Sequence, residues 1–308
     1  MAEITASSAS LTGSITAPPA KGLLKRKRTS RWKMNWVVKA CFGWIVLLVV
    51  MAVFASVLAP HDPLRQNLMT RNIPPFWMSE GSWDHPLGTD QIGYDILSRI
   101  IYGARPSLEI GLIAAIIGLV VGTTLGLIAG YFRGLSDAFI MLVADTQLST
   151  PFLVIAIAAV AAFGQSMMIL IILAGISGWM GFARTIRAQV LTLRNRDFVV
   201  ASEAIGANSW RILWRHMLPN ITSTIIVLVT ISFRGLILFE ASMSFLGLGV
   251  PPPNPAWGSM ISNGRDYLLS SWWISVFPGV ALMLTVLAVS FIGDWLRDVL
   301  DPTLNGVR

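Results

Sequence analysis

Charge is scarce in this chain. Only 13% of its 308 residues are Asp, Glu, Lys or Arg, while 54% are hydrophobic and the mean hydropathy is +0.67. A soluble domain carries nearer a quarter charged residues, so this composition points to a membrane-embedded protein. Cysteine is nearly absent: Cys41 stands alone, which rules out an intrachain disulfide and a cysteine metal cluster. The three histidines, His61, His85 and His216, lie far apart in sequence and show no HExxH-like spacing. No GxxxxGK[ST] phosphate loop occurs, so a nucleotide that drives this protein must bind another chain. Lysine is missing beyond residue 39; all five lysines fall in "KGLLKRKRTSRWKMNWVVK". Lys and Arg clustered before an apolar run mark a cytoplasmic flank, which weighs against a nucleic-acid arm.

What is present is apolar length. Residues 1–35 read as a disordered basic cytoplasmic tail, Ser, Thr, Ala and Pro at first and then the Lys/Arg cluster. A first span follows over 36–59, too long for a signal-peptide core. An extracytoplasmic loop is expected over 60–105, with helical spacing from Ile92 onward. The transmembrane core covers 106–296, and a cytoplasmic tail 297–308 ends the chain. Within the core, Ile110 to Phe132 is uncharged over 23 positions, enough for one helix of about 20 residues. Thr146 to Ala183 is uncharged over 38 positions and breaks at "FGQS", Phe163 to Ser166, into a hairpin of two helices. A fifth span starts near Pro219 and must end at the prolines of "FLGLGVPPPNP". The last runs from Trp272 to Ile292. The fold class is therefore all-α membrane protein with six transmembrane helices. With the N-terminus inside, seventeen Lys and Arg fall on the cytoplasmic side and five outside, so both termini are read as cytoplasmic.

One charged segment interrupts this pattern between the fourth and fifth spans: "ASEAIGANSWRILWRHMLP", Ala201 to Pro219. After Gly206, the residues Trp210, Leu213, Trp214 and Met217 follow i, i+3, i+4, i+7 spacing, so they are expected to share a buried helical face. A helix–Gly–helix elbow outside the bilayer suits the docking of a cytoplasmic partner. An interfacial loop lying on lipid fits the pattern equally well.

In the spans, Gly118, Gly122, Gly126, Gly130 and Gly134 recur every four residues as a smooth stripe expected to pack against another helix. Pro151 should kink the third span. Asp145, Arg234 and Glu240 are the charges in or near spans. Such groups face protein or a water-filled cavity, which makes Arg234 and Glu240 candidate translocation-pathway residues. Six residues apart on one helix, they are separated by about 240° and are poor partners for each other. Glu240 has a structural alternative, anchoring the Gly247–Gly249 break. Trp257, Trp272 and Trp273 are expected to sit at the membrane interface.

Several stretches carry a resemblance. Gly206, nine residues and then "HMLP" match the loop ending of importer permeases of the ATP-binding-cassette class. The segments "HPLGTDQIGYDILSRIIYGARPSL", "RTIRAQVLTLRNRDFVVASEAIGA", "EASMSFLGLGVPPPNPAWG" and "GDWLRDVLDP" resemble the C-type permease subunit of dipeptide, oligopeptide and nickel importers, in order and at family spacing over about residues 33–302. The chain departs from the family at Val200, where Glu is usual, and at Tyr94 and Leu142, where Arg is usual.

The resemblance implies a multi-pass permease subunit in a bacterial inner membrane, half of the pathway of a binding-protein-dependent importer of di- or oligopeptides. Partners would be a homologous second permease, two cytoplasmic ATPases and an extracytoplasmic substrate-binding protein. ATP and magnesium would sit on the ATPases, with no cofactor on this chain and no catalysis by it. Ala201, Ser202, Glu203, Gly206 and Ala207 would form the coupling elbow at the ATPase. The same architecture could carry nickel, an amino-acid conjugate or a small oligosaccharide. An intramembrane enzyme lacks its His, Ser or paired-Asp constellation here. An ion-coupled carrier should show internal repeats and more titratable groups in its spans than these three.

Overall fold

A computed structural model describes residues 34–300, and among these the fold is helical throughout, apart from turns and one isolated bridge. The tail expected over 1–35 lies almost wholly outside the described residues, as do the last eight residues of the chain.

Helix α1 (Trp36–Val53) starts at Asn35, whose side chain accepts the Trp36 N–H at 2.7 Å. The first apolar run is not one helix. It breaks at Phe54 and resumes as the single turn α2 (Ala55–Leu58). Arg105 closes that end: its Nε donates to the Ala52 carbonyl at 2.5 Å and its Nη2 to Val53 at 3.3 Å. A guanidinium there satisfies carbonyls that the helix leaves unpaired and opposes the negative end of its dipole.

The second long helix, α3 (Ile96–Phe132, 37 residues), begins well before the uncharged run that marks it in the sequence. Helix therefore begins at Ile96, within the stretch 60–105 expected as a loop. Asp95 is the reason: its Oδ2 accepts the Ser98 N–H at 2.8 Å, an N-cap that starts the helix while the chain is still polar. Pro106 sits inside α3 without ending it.

At the far end α3 stops at Arg133, and α4 (Gly134–Ser149) and α5 (Phe152–Phe163) follow at 85° to each other. The kink expected at Pro151 is a full break. Proline has no N–H and forces Thr150 into an extended conformation, φ −99° and ψ 129°, so the helix cannot pass through. The break expected over Phe163 to Ser166 begins one residue later, since Phe163 still closes α5, and α6 (Met167–Leu193) then returns, capped by Ser166. Then come α7 (Asp197–Ala204), α8 (Ser209–Arg211), a π-helical stretch (Ile212–Met217) and α9 (Leu218–Asn220). The remaining long helices are α10 (Thr222–Phe245) and α12 (Trp273–Leu300), with the short α11 (Trp257–Gly264) between them. Among the described residues, five helices are long and apolar enough to cross a membrane, and the bent α4–α5 pair makes a sixth when counted as one.

The closest packing is α3 against α6. Added side-chain carbons at Gly122, Gly126 and Gly130 would lie 2.6 Å from the Phe182 Cβ, 2.9 Å from the Ile186 Cβ and 2.7 Å from the Val190 Cβ. Gly118 meets the Gly178–Trp179 backbone. Four of the five stripe glycines therefore serve helix contact; Gly134, at φ +57°, begins α4 instead and faces open space. Arg187 of α6 clamps Asp137 of α4 bidentately at 2.5 and 2.6 Å, and Trp179 Nε1 donates to Gln147 Oε1 at 2.9 Å.

Two tryptophans expected at the membrane interface are buried. Trp257 donates to the Ile100 carbonyl at 3.0 Å and Trp273 to the Thr89 carbonyl at 3.1 Å, so their indoles join α11 and α12 to α3 and the outer segment. A buried indole N–H needs an acceptor, and these carbonyls supply it.

Replacing Gly126 by Val forces backbone and side chains apart at a site with no free space. It should destabilise the purified protein by about 1–3 kcal/mol, read as a lowered Tm in detergent. Gly181 of α6 faces open space, and Gly181→Ala should leave Tm unchanged or raise it.

Candidate functional site

The charged segment between α6 and α10 folds as a rigid corner. Helix α7 closes with the Ala207 N–H on the Ser202 carbonyl at 3.0 Å and the Gly206 N–H on Glu203 at 2.9 Å. This pair of bonds is the Schellman arrangement, and it places Gly206 at the one position that needs a left-handed backbone, φ +79°. A carbon added at Gly206 would meet nothing within 4 Å, so the glycine answers a conformational demand and not a steric one. Asn208 then caps the next turn, accepting the Trp210 N–H at 3.0 Å.

Side chains that the sequence reading did not single out tie the corner to the bundle. Tyr131, at the end of α3, donates its hydroxyl to Glu203 Oε1 at 2.9 Å. Arg194, just past α6, donates to the Tyr131 carbonyl at 2.8 Å and stands 5.4 Å from that ring. Beneath them Val199, Ile212, Leu213, Met217 and Ile221 pack on Leu127, Tyr131, Ile186 and Val190. The corner is thus joined to α3 and α6 through both a buried apolar contact and hydrogen bonds.

The expected buried face is half right. Leu213 and Met217 are buried, but Trp210 and Trp214 are about half exposed, at 52% and 48%. The cause is the π-helical turn at Ile212–Met217: its wider winding swings Ile212 inward in place of the tryptophans. Of the five residues expected at the coupling elbow, Ala201, Glu203 and Gly206 are exposed, and Ser202 and Ala207 are partly so. Around them Phe198, Val200, Ile205, Trp210 and Trp214 are exposed large apolar side chains, with Ile205 at 85%. Ile205, next to a polar run and a glycine, carried no periodic signal; only its position at the end of α7 reveals it.

Arg234 and Glu240, both on α10, are not brought together. Arg234 Nη1 donates to Ser290 Oγ on α12 at 3.3 Å, beside a small cleft that Asp294 also lines. Glu240 is fully buried and faces the other way. Its Oε2 accepts from Ser107 of α3 at 2.9 Å and its Oε1 from Ser244 at 2.7 Å. Ser244 Oγ in turn accepts the Val250 N–H at 3.3 Å, so Glu240 does brace the chain around Gly247–Gly249. Asp145 pairs with Arg184 of α6. Tyr94 is buried in the outer segment, where Gln66 donates to its hydroxyl at 2.8 Å and the Arg99 guanidinium lies 4.1 Å over its ring. Next to it, burial pushes the Asp90 carboxyl above its ordinary value, against amide hydrogen bonds and the Arg99 charge that pull it down.

Comparison with known proteins agrees with this architecture. Residues 122–306 match the family described as binding-protein-dependent transport system inner membrane component, and residues 27–75 match the N-terminal TM domain of oligopeptide transport permease C. The chain is 42% identical over 262 residues to the di/tripeptide transport system permease protein DppC of Pseudomonas aeruginosa, covering 85% of this chain and 86% of that one. Identity is 38% over 276 residues to the dipeptide permease DppC of Bacillus subtilis, covering 89% and 84%. It is 39% over 282 residues to the glutathione permease GsiD of Pectobacterium atrosepticum, covering 89% and 92%. Among solved structures, an inward-facing form of the MetNI methionine ABC transporter aligns with a TM-score of 0.55 at 18% identity, over 66% of this chain and 97% of that one. That likeness concerns the fold. With family models matching most of the chain and relatives near 40% identity along its length, the chain belongs to the binding-protein-dependent transport system inner membrane components, multi-pass permease subunits whose ATPase is a separate chain.

Proposed function

We propose that this chain forms half of the translocation pathway of an ATP-driven importer of di- and oligopeptides, with a homologous permease as the other half. Two ATPases holding ATP and magnesium would dock from the cytoplasm, and an extracytoplasmic binding protein would deliver cargo. The distribution of Lys and Arg supports both termini facing the cytoplasm. Relatives named as di/tripeptide and dipeptide permeases support the cargo class.

One observation carries the mechanism: an exposed apolar corner whose backbone is locked and whose inner side is welded to α3 and α6. Ala201, Ser202, Glu203, Gly206 and Ala207 form its tip, and Phe198, Ile205, Trp210 and Trp214 offer the apolar area that a groove on the ATPase would bury. Closure of the ATPases would then turn the corner as a lever and tilt the attached helices. Tyr131 and Glu203 keep that lever stiff. In the spans, Arg234 supplies a cation suited to a peptide carboxylate. Glu240, on the other side of α10, braces the Gly247–Gly249 stretch through Ser244 and would support the pathway from behind.

Uptake by the complete complex in proteoliposomes tests the reading. Wild type should accumulate labelled dipeptide only with ATP, and Gly206→Trp should abolish uptake while the subunits still assemble. A competition panel of dipeptides, longer peptides, nickel and sugars names the cargo. ATP-independent uptake, or full activity in Gly206→Trp, would overturn the lever. Glu240→Ala strands two buried hydroxyls and should destabilise the chain by about 1–3 kcal/mol in thermal unfolding, whereas Glu240→Gln keeps an acceptor and should lose less.

A further inference from the structure

The outer segment before α3 holds a cluster of side chains that the transport reading leaves unused. His61, just after α2, stacks its ring on His85, with centroids 4.5 Å apart and a 33° tilt. Both rings present the same edges in the same directions. Their Nε2 atoms face the Asp84 carboxylate, 3.6 Å from His61 and 3.8 Å from His85. Their Nδ1 atoms face Asp95 Oδ1, at 3.9 and 3.0 Å.

Asp95 is held from behind. Its Oδ2 accepts both the N–H and the hydroxyl of Ser98, at 2.8 and 2.6 Å, and that hydroxyl accepts the His61 N–H at 3.0 Å. A carboxylate only accepts, so His85 Nδ1 carries a ring proton, and Nε2, on the side of Asp84, is the nitrogen that could ligate a metal. His61 Nδ1 is buried without a hydrogen-bond partner. The backing carboxylate, the fixed tautomer and the convergence of both Nε2 atoms are the arrangement by which proteins orient imidazole ligands.

We propose that His61 Nε2, His85 Nε2 and an Asp84 oxygen bind a divalent transition-metal ion of zinc's class, with Asp95 as the group that positions His85. One ligand atom from each of the three residues lies within 4.8 Å of the others. Ligands about 2.0–2.2 Å from a tetrahedral ion are themselves about 3.4 Å apart; the 3.6 Å contact of His61 reaches Asp84 Oδ1 and the 3.8 Å contact of His85 reaches Oδ2, so a turn of this exposed carboxylate is what would bring one oxygen to an ion shared by both rings. Two imidazoles select against calcium and magnesium, which take oxygen ligands. The Asp84 side chain is 74% exposed, so an ion can enter and a fourth position stays open to water or a partner's group. Bound there, the ion joins the chain just past α2 to the turn that caps α3 and clasps the outer segment shut. This site is independent of the cargo and of the lever.

The test uses the assembled complex carrying a histidine-free affinity tag, stripped with chelator and titrated with zinc by calorimetry, with bound metal counted by mass spectrometry. Wild type should bind one equivalent more than His85→Gln. Asp84→Asn should weaken that equivalent by about tenfold or more, comparable to losing a supporting group of a metal site. Asp84 is exposed, so Asp84→Asn should match the wild-type Tm without metal, and only wild type should gain Tm on adding zinc. The exposed Glu80→Gln should behave as wild type in every arm. Cobalt in place of zinc should give the visible bands of a tetrahedral ion in wild type alone. Equal stoichiometry and affinity in wild type and Asp84→Asn, or wild-type binding only at millimolar zinc, would overturn the site.

Discussion

The approach of α3 to α6 is the constraint on which the rest of the structure depends. Between spans there is little hydrophobic gain, since lipid tails are as apolar as leucine, so helices associate by how closely their surfaces fit. Gly118, Gly122, Gly126 and Gly130 remove side chains from one face of α3, and Phe182, Ile186 and Val190 fill the space. That contact extends nearly to the ends of α3 and α6. At those ends stand Tyr131 and Arg194, which hold Glu203 and the corner beyond it. The corner around Gly206 is thus built on the tightest seam among the described residues.

Polar groups do different work on either side of that seam. On one side they stiffen: Tyr131 to Glu203, Arg187 to Asp137, Arg184 to Asp145. On the other they organise irregular chain that no long helix could cover. Asp95 caps α3, Arg105 closes α1, and Trp257 and Trp273 donate to outer carbonyls. Backbone outside helices must find partners one by one, and the outer segment finds them in side chains that sequence patterning treats as loop residues.

Much of the fold is legible because apolar length is a strong signal. The glycine stripe was legible too, since a period of four on a helix leaves little room for another meaning. The start of α3 was not, because its first turns are polar and stabilised by a cap that hydropathy does not register. Trp210 and Trp214 were assigned inward by a 3.6-residue period that the π-helical turn does not obey. Trp257 and Trp273 were assigned to the interface by residue type, whereas their partners Ile100 and Thr89 lie far away in the chain. At the elbow, Gly206 and its neighbours could be singled out, but Tyr131, Arg194 and Ile205 become visible only once three separate segments meet.

The break at Pro151 bears on the surrounding lipid. The two legs of the α4–α5 pair stand at 85°, so when one follows the membrane normal the other runs nearly parallel to the surface. Their 16 and 12 residues correspond to about 24 and 18 Å, each short of the roughly 30 Å hydrocarbon thickness. No single leg reaches from one headgroup layer to the other. Tilted together, the two legs reach about 30 Å end to end, so the pair can cross a bilayer only as an oblique elbow, which makes this bend the point where lipid thickness bears most directly on the fold.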